Sequence, residues 1–170
     1  MSESPESRPA HITRFWEYIH PQWSILDPLL HTQSFVRSSS AFLYTVILAI
    51  SSTALATGPQ GDADDVAEAF RLQAHAEHLI VVNFILGAKS CEIIQGHILF
   101  HVWSLAPRRY LDDNRYVRMS MCSRMALELG LHRAQRDIRR NPQARHTMAT
   151  AQIPRNRLRT RAFLLMVENR

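Results

Sequence analysis

The chain has little with which to cross-link itself or build a sheet. Of its 170 residues only Cys91 and Cys122 are cysteine, and they form no close pair. That excludes a disulfide scaffold and a local cysteine zinc site, and it fits a reducing compartment. Glycine is scarce, with 5 residues, while Ala, Leu, Met and Arg are plentiful, a balance that favours helix over sheet. Long hydrophobic runs are missing too. Ala41 to Ile50 is strongly apolar, and no charge lies between Arg37 and Asp62. Ser51, Ser52 and Thr53 nevertheless interrupt the run short of the ~20 apolar residues that a membrane span needs, so it reads as a core helix. Met1 to Ala10 is polar and Pro-rich, without an apolar signal segment. Acids are few in the second half, where residues 101–170 hold five against fifteen Arg, whereas residues 1–100 hold ten acids against five bases. A basic half attracts nucleic acid through phosphate neutralisation. Because no aromatic-interleaved basic motif accompanies the charge, the Arg read as solvated faces of helices and a loop.

What is present reads as a series of helices around one core, which 170 residues suffice to form. Residues 1–11 have nothing to bury and read as a disordered N-terminus. Residues 12–170 form the helical domain. Thr13 caps a short helix carrying Phe15, Trp16, Tyr18 and Ile19. Pro21 ends it, biasing His20 to extended geometry, and the chain to Pro28 crosses the core on Trp23, Ile25 and Leu26. One of Ser38, Ser39 and Ser40 caps the next helix, Ala41 to Ala56, whose apolar surface runs almost all round and makes it central. Thr57-Gly58-Pro59-Gln60-Gly61 is a break. Asp62, Asp64 and Asp65 favour a helix start, and Val66, Ala69, Phe70, Gln73, Ala76, Leu79, Ile80 and Asn83 share one side of the helix that follows. Gly87 interrupts, Ser90 caps, and a helix with Ile93, Ile94, His97, Ile98, His101 and Val102 at helical spacing runs to Pro107.

The stretch Tyr116 to Arg133 reads as a helix whose apolar side carries Val117, Met121, Met125 and Leu129, flanked by Met119, Cys122 and Ala126. Arg118, Ser123, Arg124 and Glu128 face away, and Gly130 is the stop. Asp112 and Asp113 serve its start. Residues 134–154 lack a sustained apolar face and read as a polar, mobile loop. A last helix, Asn156 to Arg170, carries Leu158, Phe163, Leu165, Met166 and Val167.

Catalytic patterns are thin. His97 and His101 lie at i, i+4, and His75 and His78 at i, i+3, so four imidazoles are candidates for a metal. Residue 98 is Ile, so H-E-x-x-H is absent, and no third ligand is defined. Gly87-Ala88-Lys89-Ser90 lacks the G-x-x-x-x-G-K-[ST] of a phosphate loop, and no G-x-S-x-G elbow occurs. The Met residues read as core filler rather than an adaptable binding groove. No catalytic, cofactor-binding or metal-ligating residue is assigned.

The order of five phrases says more. A-L-E-L-G-L-H-R (Ala126 to Arg133) is followed by N-R-L-R-T (Asn156 to Thr160), and preceded by S-C-E-I-I-Q-G-H-I-L (Ser90 to Leu99), A-F-L-Y-T-V-I-L-A-I-S-S (Ala41 to Ser52) and H-P-Q-W-S-I-L (His20 to Leu26). Together they resemble the regulatory, or middle homology, domain of fungal-specific transcription factors of the zinc binuclear cluster family. Two positions depart from that pattern: Arg161 stands where an aromatic is usual, and Asn169 where an Asp precedes the final Arg. The resemblance implies an all-α, irregular multi-helix bundle that is a partial copy of the regulatory domain, incomplete at both ends and leaving an apolar face uncovered. It also implies a nuclear, non-enzymatic domain that modulates transcription through other transcription-factor segments or regulatory proteins. No cofactor is expected in this chain, since nothing in it matches the family's zinc cluster, nor is sequence-specific DNA contact or membrane association. The alternatives are a helical metal-binding or enzymatic protein using the histidines, or a non-functional truncated fragment.

Overall fold

Ser40 begins the central element. Its hydroxyl accepts the Leu43 N–H at 3.1 Å and caps α3, Ala41–Ala56. From Phe42 to Ser52 nearly every side chain of α3 is buried, as an all-round apolar helix requires. The computed structural model describes residues 7–59, 61–104, 113–134, 136 and 148–168, and among them it contains helices and turns but no strand. The other helices are α1 (Ser7–Arg14), α2 (Gln33–Ser39), α4 (Ala63–Ile85), α5 (Cys91–Trp103), α6 (Arg115–Glu128) and α7 (Met148–Glu168). Helices α1, α2, α4 and α5 pack on α3, and α6 and α7 pack on α5 and on each other. The fold is all-α, as expected.

The chain ahead of α3 departs from expectation. A helix is already formed at Ser7, before Thr13, and residues 1–6 lie outside the described set. It continues through a π-helical turn, Phe15–Ile19, into a 3-10 turn, His20–Gln22. His20 is helical, with φ −56 and ψ −38, rather than extended. Its ring compensates by packing on Trp16 at 4.6 Å and reaching the Leu26 carbonyl at 3.0 Å. Ile25 and Leu26 are buried as the sequence predicts, and Trp23 packs on Phe163 of α7 at 5.4 Å.

α4 opens on a reciprocal capping box. The Asp62 carboxylate accepts the Asp65 N–H at 2.8 Å, and that of Asp65 accepts the Asp62 N–H at 3.2 Å. The buried stripe is narrower than the pattern predicts. Ala69, Leu72 and Ala76 are buried, while Val66 and Phe70 are 40% and 51% exposed. α3 is the main neighbour of α4, and small Ala side chains bring the two axes close, so only a thin strip is covered.

α5 starts at a Ser90 cap and is buried continuously from Ile93 to Phe100. Gly96 makes this possible, because a methyl group there would stand 2.8 Å from the Phe42 ring and 3.4 Å from the Leu43 Cα. At the start of α6 the Asp113 carboxylate accepts the Arg115 backbone N–H at 3.0 Å. The buried face of α6 is Arg118, Met119, Cys122 and Ala126, whereas Val117 is 62% exposed. Arg118 therefore faces the core instead of solvent: its guanidinium lies 5.0 Å above the Phe100 ring, where the stem buries and the cation meets the aromatic face. Gly130 follows with φ +69, a conformation that suits glycine, and the chain turns through Leu131–Arg133.

α7 begins at Met148, ahead of the expected Asn156, and contains Pro154. Residues 148–154 of the expected polar loop are thus helical; positions 135 and 137–147 lie outside the described residues. From 152 to 168 its buried positions are Asn156, Thr160, Leu164 and Val167. Arg161, where an aromatic was expected, is half-buried and points its Nη1 at the His132 carbonyl at 3.4 Å; Asn169 lies outside the described residues.

Candidate functional site

The polar residues of the sequence phrases meet in one buried seam. Asn156 and Thr160 are one helical turn apart on α7, so both face inward. Gln95 faces them from α5, and His31 reaches it from the turn before α2. All four are at most 3% exposed. The seam has one consistent direction. His31 Nδ1 lies 2.9 Å from the Asp27 N–H and 3.1 Å from the Asp27 carbonyl; the tautomer with its proton on Nε2 accepts from that N–H and donates to Gln95 Oε1 at 3.1 Å. Gln95 Nε2 then donates to Asn156 Oδ1 at 2.7 Å and to Thr160 Oγ1 at 2.9 Å. The Thr160 hydroxyl donates back to the Asn156 carbonyl at 2.8 Å. Burial lowers the His31 pKa, which keeps the ring neutral, as the single-proton scheme requires.

Around this seam the Arg of the N-R-L-R-T phrase have separate partners. Arg157 Nη2 donates to the Leu129 carbonyl at 2.5 Å. Leu129 is the C-cap of α6, where the last carbonyls lack intrahelical donors and the dipole favours a cation. Arg159 lies 3.3 Å from Asp27 Oδ2, and Asp27 Oδ1 accepts the Leu29 N–H at 3.0 Å. One helical phrase thus clasps the leading segment, α5 and the end of α6. Chemically the seam is amide, hydroxyl and neutral imidazole, all hydrogen-bonded to one another; it ties chain segments together and presents no nucleophile beside a base.

The candidate histidines are not gathered. His75 and His78 are exposed on α4 and stack on each other at 6.5 Å. His97 packs on Phe42 at 4.8 Å, and His101 lies beside Tyr116 at 6.4 Å. Burial, aided by the charge of Arg118, pushes the His97 pKa down to about 4, and burial lowers that of His101. Among the described residues no group of three or more His, Cys, Asp and Glu is placed to hold a metal ion. Ser90 of the G-A-K-S stretch is the α5 cap, and Lys89 pairs with Glu128 of α6. Burial raises the Cys91 thiol to about 11 and raises Cys122 further still, so neither is an activated nucleophile. No described helix is long and apolar enough to cross a membrane.

Sequence reasoning marked Gln95, Asn156 and Thr160 through the phrases that hold them, but gave no part to His31 or Asp27. His31 pairs with a residue 64 positions away, and local periodicity carries no sign of such a contact. No curated protein and no solved structure matches the chain. The family model described as "Fungal specific transcription factor domain" matches residues 12–165, which include every residue of the seam. The chain belongs to the fungal specific transcription factor domain family.

Proposed function

We propose that this chain is the regulatory domain of a fungal transcription factor, acting in the nucleus and modulating DNA-templated transcription without a DNA-binding cluster of its own. The observation that supports this most is the fate of the polar phrase residues. Gln95, Asn156 and Thr160 are consumed in holding three segments together. A domain whose characteristic side chains are internal acts through its surface, on other transcription-factor segments or on regulatory proteins. No catalytic role and no resident cofactor is proposed. Its two cysteines, buried or half-buried on different helices, cannot supply a two-zinc, six-cysteine cluster.

Fusion of residues 1–170 to an unrelated sequence-specific DNA-binding module tests the regulatory role. In a fungal reporter strain the fusion changes output severalfold relative to the module alone; an unmoved reporter overturns the proposal. Purified alone, the chain leaves no footprint on a defined DNA site at ~0.2 M salt, because contacts made only by Arg to phosphate fade there. A footprint that survives that salt overturns the absence of DNA recognition.

A further inference from the structure

On the side of α5 away from the seam, α4, α5 and α6 enclose a groove of about 230 Å³. Its walls are apolar: Ile80 and Phe84 from α4, Ile93 from α5, Met121 and Met125 from α6. Phe84 is 67% exposed at the lip. Asn83 and His97 also line it, and each carries a buried nitrogen, Nδ2 and Nδ1 respectively, without a hydrogen-bond partner among the described residues. His97 is 3% exposed. The rim carries Lys89 and Arg124, both paired with the single carboxylate of Glu128, so it holds one positive charge in excess. The cation of Arg118 acts on His97 from α6, which adds to the positive field.

We propose that this groove binds a small molecule made of an apolar body and one carboxylate. The body sits between Phe84 and the two methionines, whose flexible thioethers adapt to its shape. The carboxylate accepts from the buried nitrogens of Asn83 and of His97, the latter as its Nδ1–H tautomer, which otherwise cost stability unpaired. The carboxylate takes the surplus charge shared by Lys89 and Arg124. The volume suits about ten non-hydrogen atoms, given that a benzene-sized ligand fills a dry cavity of roughly 150 Å³. A second protein is a poorer occupant, since the unpaired nitrogens lie inside a concave pocket rather than on a flat patch.

The probes are 3-phenylpropanoate and its neutral amide, 3-phenylpropanamide, titrated at millimolar concentration into the full chain carrying 13C-methyl methionine. The Met121 and Met125 methyl signals shift saturably with the acid, while Met166, exposed on α7, serves as the unmoved reference. The amide binds about fivefold more weakly, the range expected for a partly exposed ion pair. Lys89→Gln and Asn83→Leu each weaken the acid by a similar factor of about five, and Lys89→Arg restores it. Lys89 is 44% exposed, so its loss does not threaten folding. No saturable shift with either probe overturns the site. Equal binding of acid and amide, or binding indifferent to both variants, overturns the chemistry assigned to it.

Discussion

Gln95 and His97 stand two residues apart on α5, about 200° apart around the helix axis, and both are shielded from solvent. On one side Gln95 is the node of a closed polar network, bonded to His31, Asn156 and Thr160. On the other, His97 has a ring nitrogen without a partner among the described residues, a phenyl ring on one face and a cationic neighbour. The contrast shows how one buried helix serves two ends. Where the polar groups are mutually satisfied, the seam fixes the relative positions of distant segments. Where they are left unsatisfied, the same helix holds a cost that a bound molecule relieves. A buried donor without a partner costs about 1–3 kcal/mol, so the groove side is built below its own optimum.

The hardest blow to this contrast is Gln95→Leu. It strands the His31 Nε2–H and Asn156 Oδ1 together, so the expected loss is about 3 kcal/mol, or a fall of roughly 10 °C in the thermal midpoint for a chain of this size. His97→Leu at pH 7 removes an unpaired group instead and leaves stability within about 1 kcal/mol, on the stabilising side. Urea unfolding followed by circular dichroism measures both. If the two variants lose equal stability, the two sides of α5 do not differ in the way described.

Acid sharpens the same comparison. The His97 ring titrates at about 4 in the folded chain against an ordinary value of 6.5. Below pH 6.5 the unfolded chain therefore binds a proton that the folded chain does not. The stability contributed by the neutral ring is complete above pH 6.5 and drains as pH falls toward 4, where the folded ring protonates as well. His31, also lowered by burial, drains in the same direction. His97→Leu deletes only its own share, so the gap between wild type and variant grows by about 2–3 kcal/mol from pH 7 to pH 4. A gap that stays constant between pH 7 and pH 4 contradicts a buried neutral ring at position 97.

Arg157→Ala probes the rim of the seam. It frees the Leu129 carbonyl at the end of α6, with an expected cost of about 1 kcal/mol from a lost charge-assisted cap. Amide exchange supplies the local readout: the last turn of α6 and the Leu131–Arg133 turn gain exchange while the middle of α3 does not. Equal acceleration in α3 would mean that Arg157 supports the whole fold rather than one helix end.

How far the sequence carried these conclusions depended on whether the cause was local. Ser40, Ser90 and Gly130 act on their own few residues, so the bounds of α3, the start of α5 and the stop of α6 were legible from caps and conformational freedom. The buried face of α6 was not. Periodicity counts Arg118 as polar, while its stem and guanidinium lie on Phe100, a contact only the folded chain supplies. The width of the α4 stripe was hidden for a similar reason, since Phe70 has the same pattern value whether one neighbour covers α4 or two. The phrase residues Gln95, Asn156 and Thr160 were visible as a resemblance, and their joint task became visible only when α5 and α7 came together. The groove was invisible in sequence, for its lining is drawn from three helices and its meaning rests on atoms that lack partners.

Gly96 lies between Gln95 and His97 and tests how rigidly the two sides are joined. Ala improves helix propensity by about 1 kcal/mol, but its methyl group would meet the Phe42 ring at 2.8 Å. That ring cannot simply swing away, because it is 2% exposed and His97 packs on it at 4.8 Å. Overpacking of this kind costs about 1–3 kcal/mol, so Gly96→Ala is expected to lose about 1 kcal/mol net. Phe42→Leu makes room, and in that background Gly96→Ala recovers the propensity gain, giving a coupling between the two positions of about 1–2 kcal/mol in a double-mutant cycle. An absence of coupling would mean that α5 moves off α3 as a unit. The direction of the strain decides the larger question. Gly96→Ala should shift the Met121 and Met125 methyl signals more than the Thr160 methyl signal, because the groove has unfilled space to absorb a displaced His97, whereas the seam holds Gln95 by three hydrogen bonds. A larger response at Thr160 would place the compliance of the domain in the seam, and would make the polar network the part of α5 that yields.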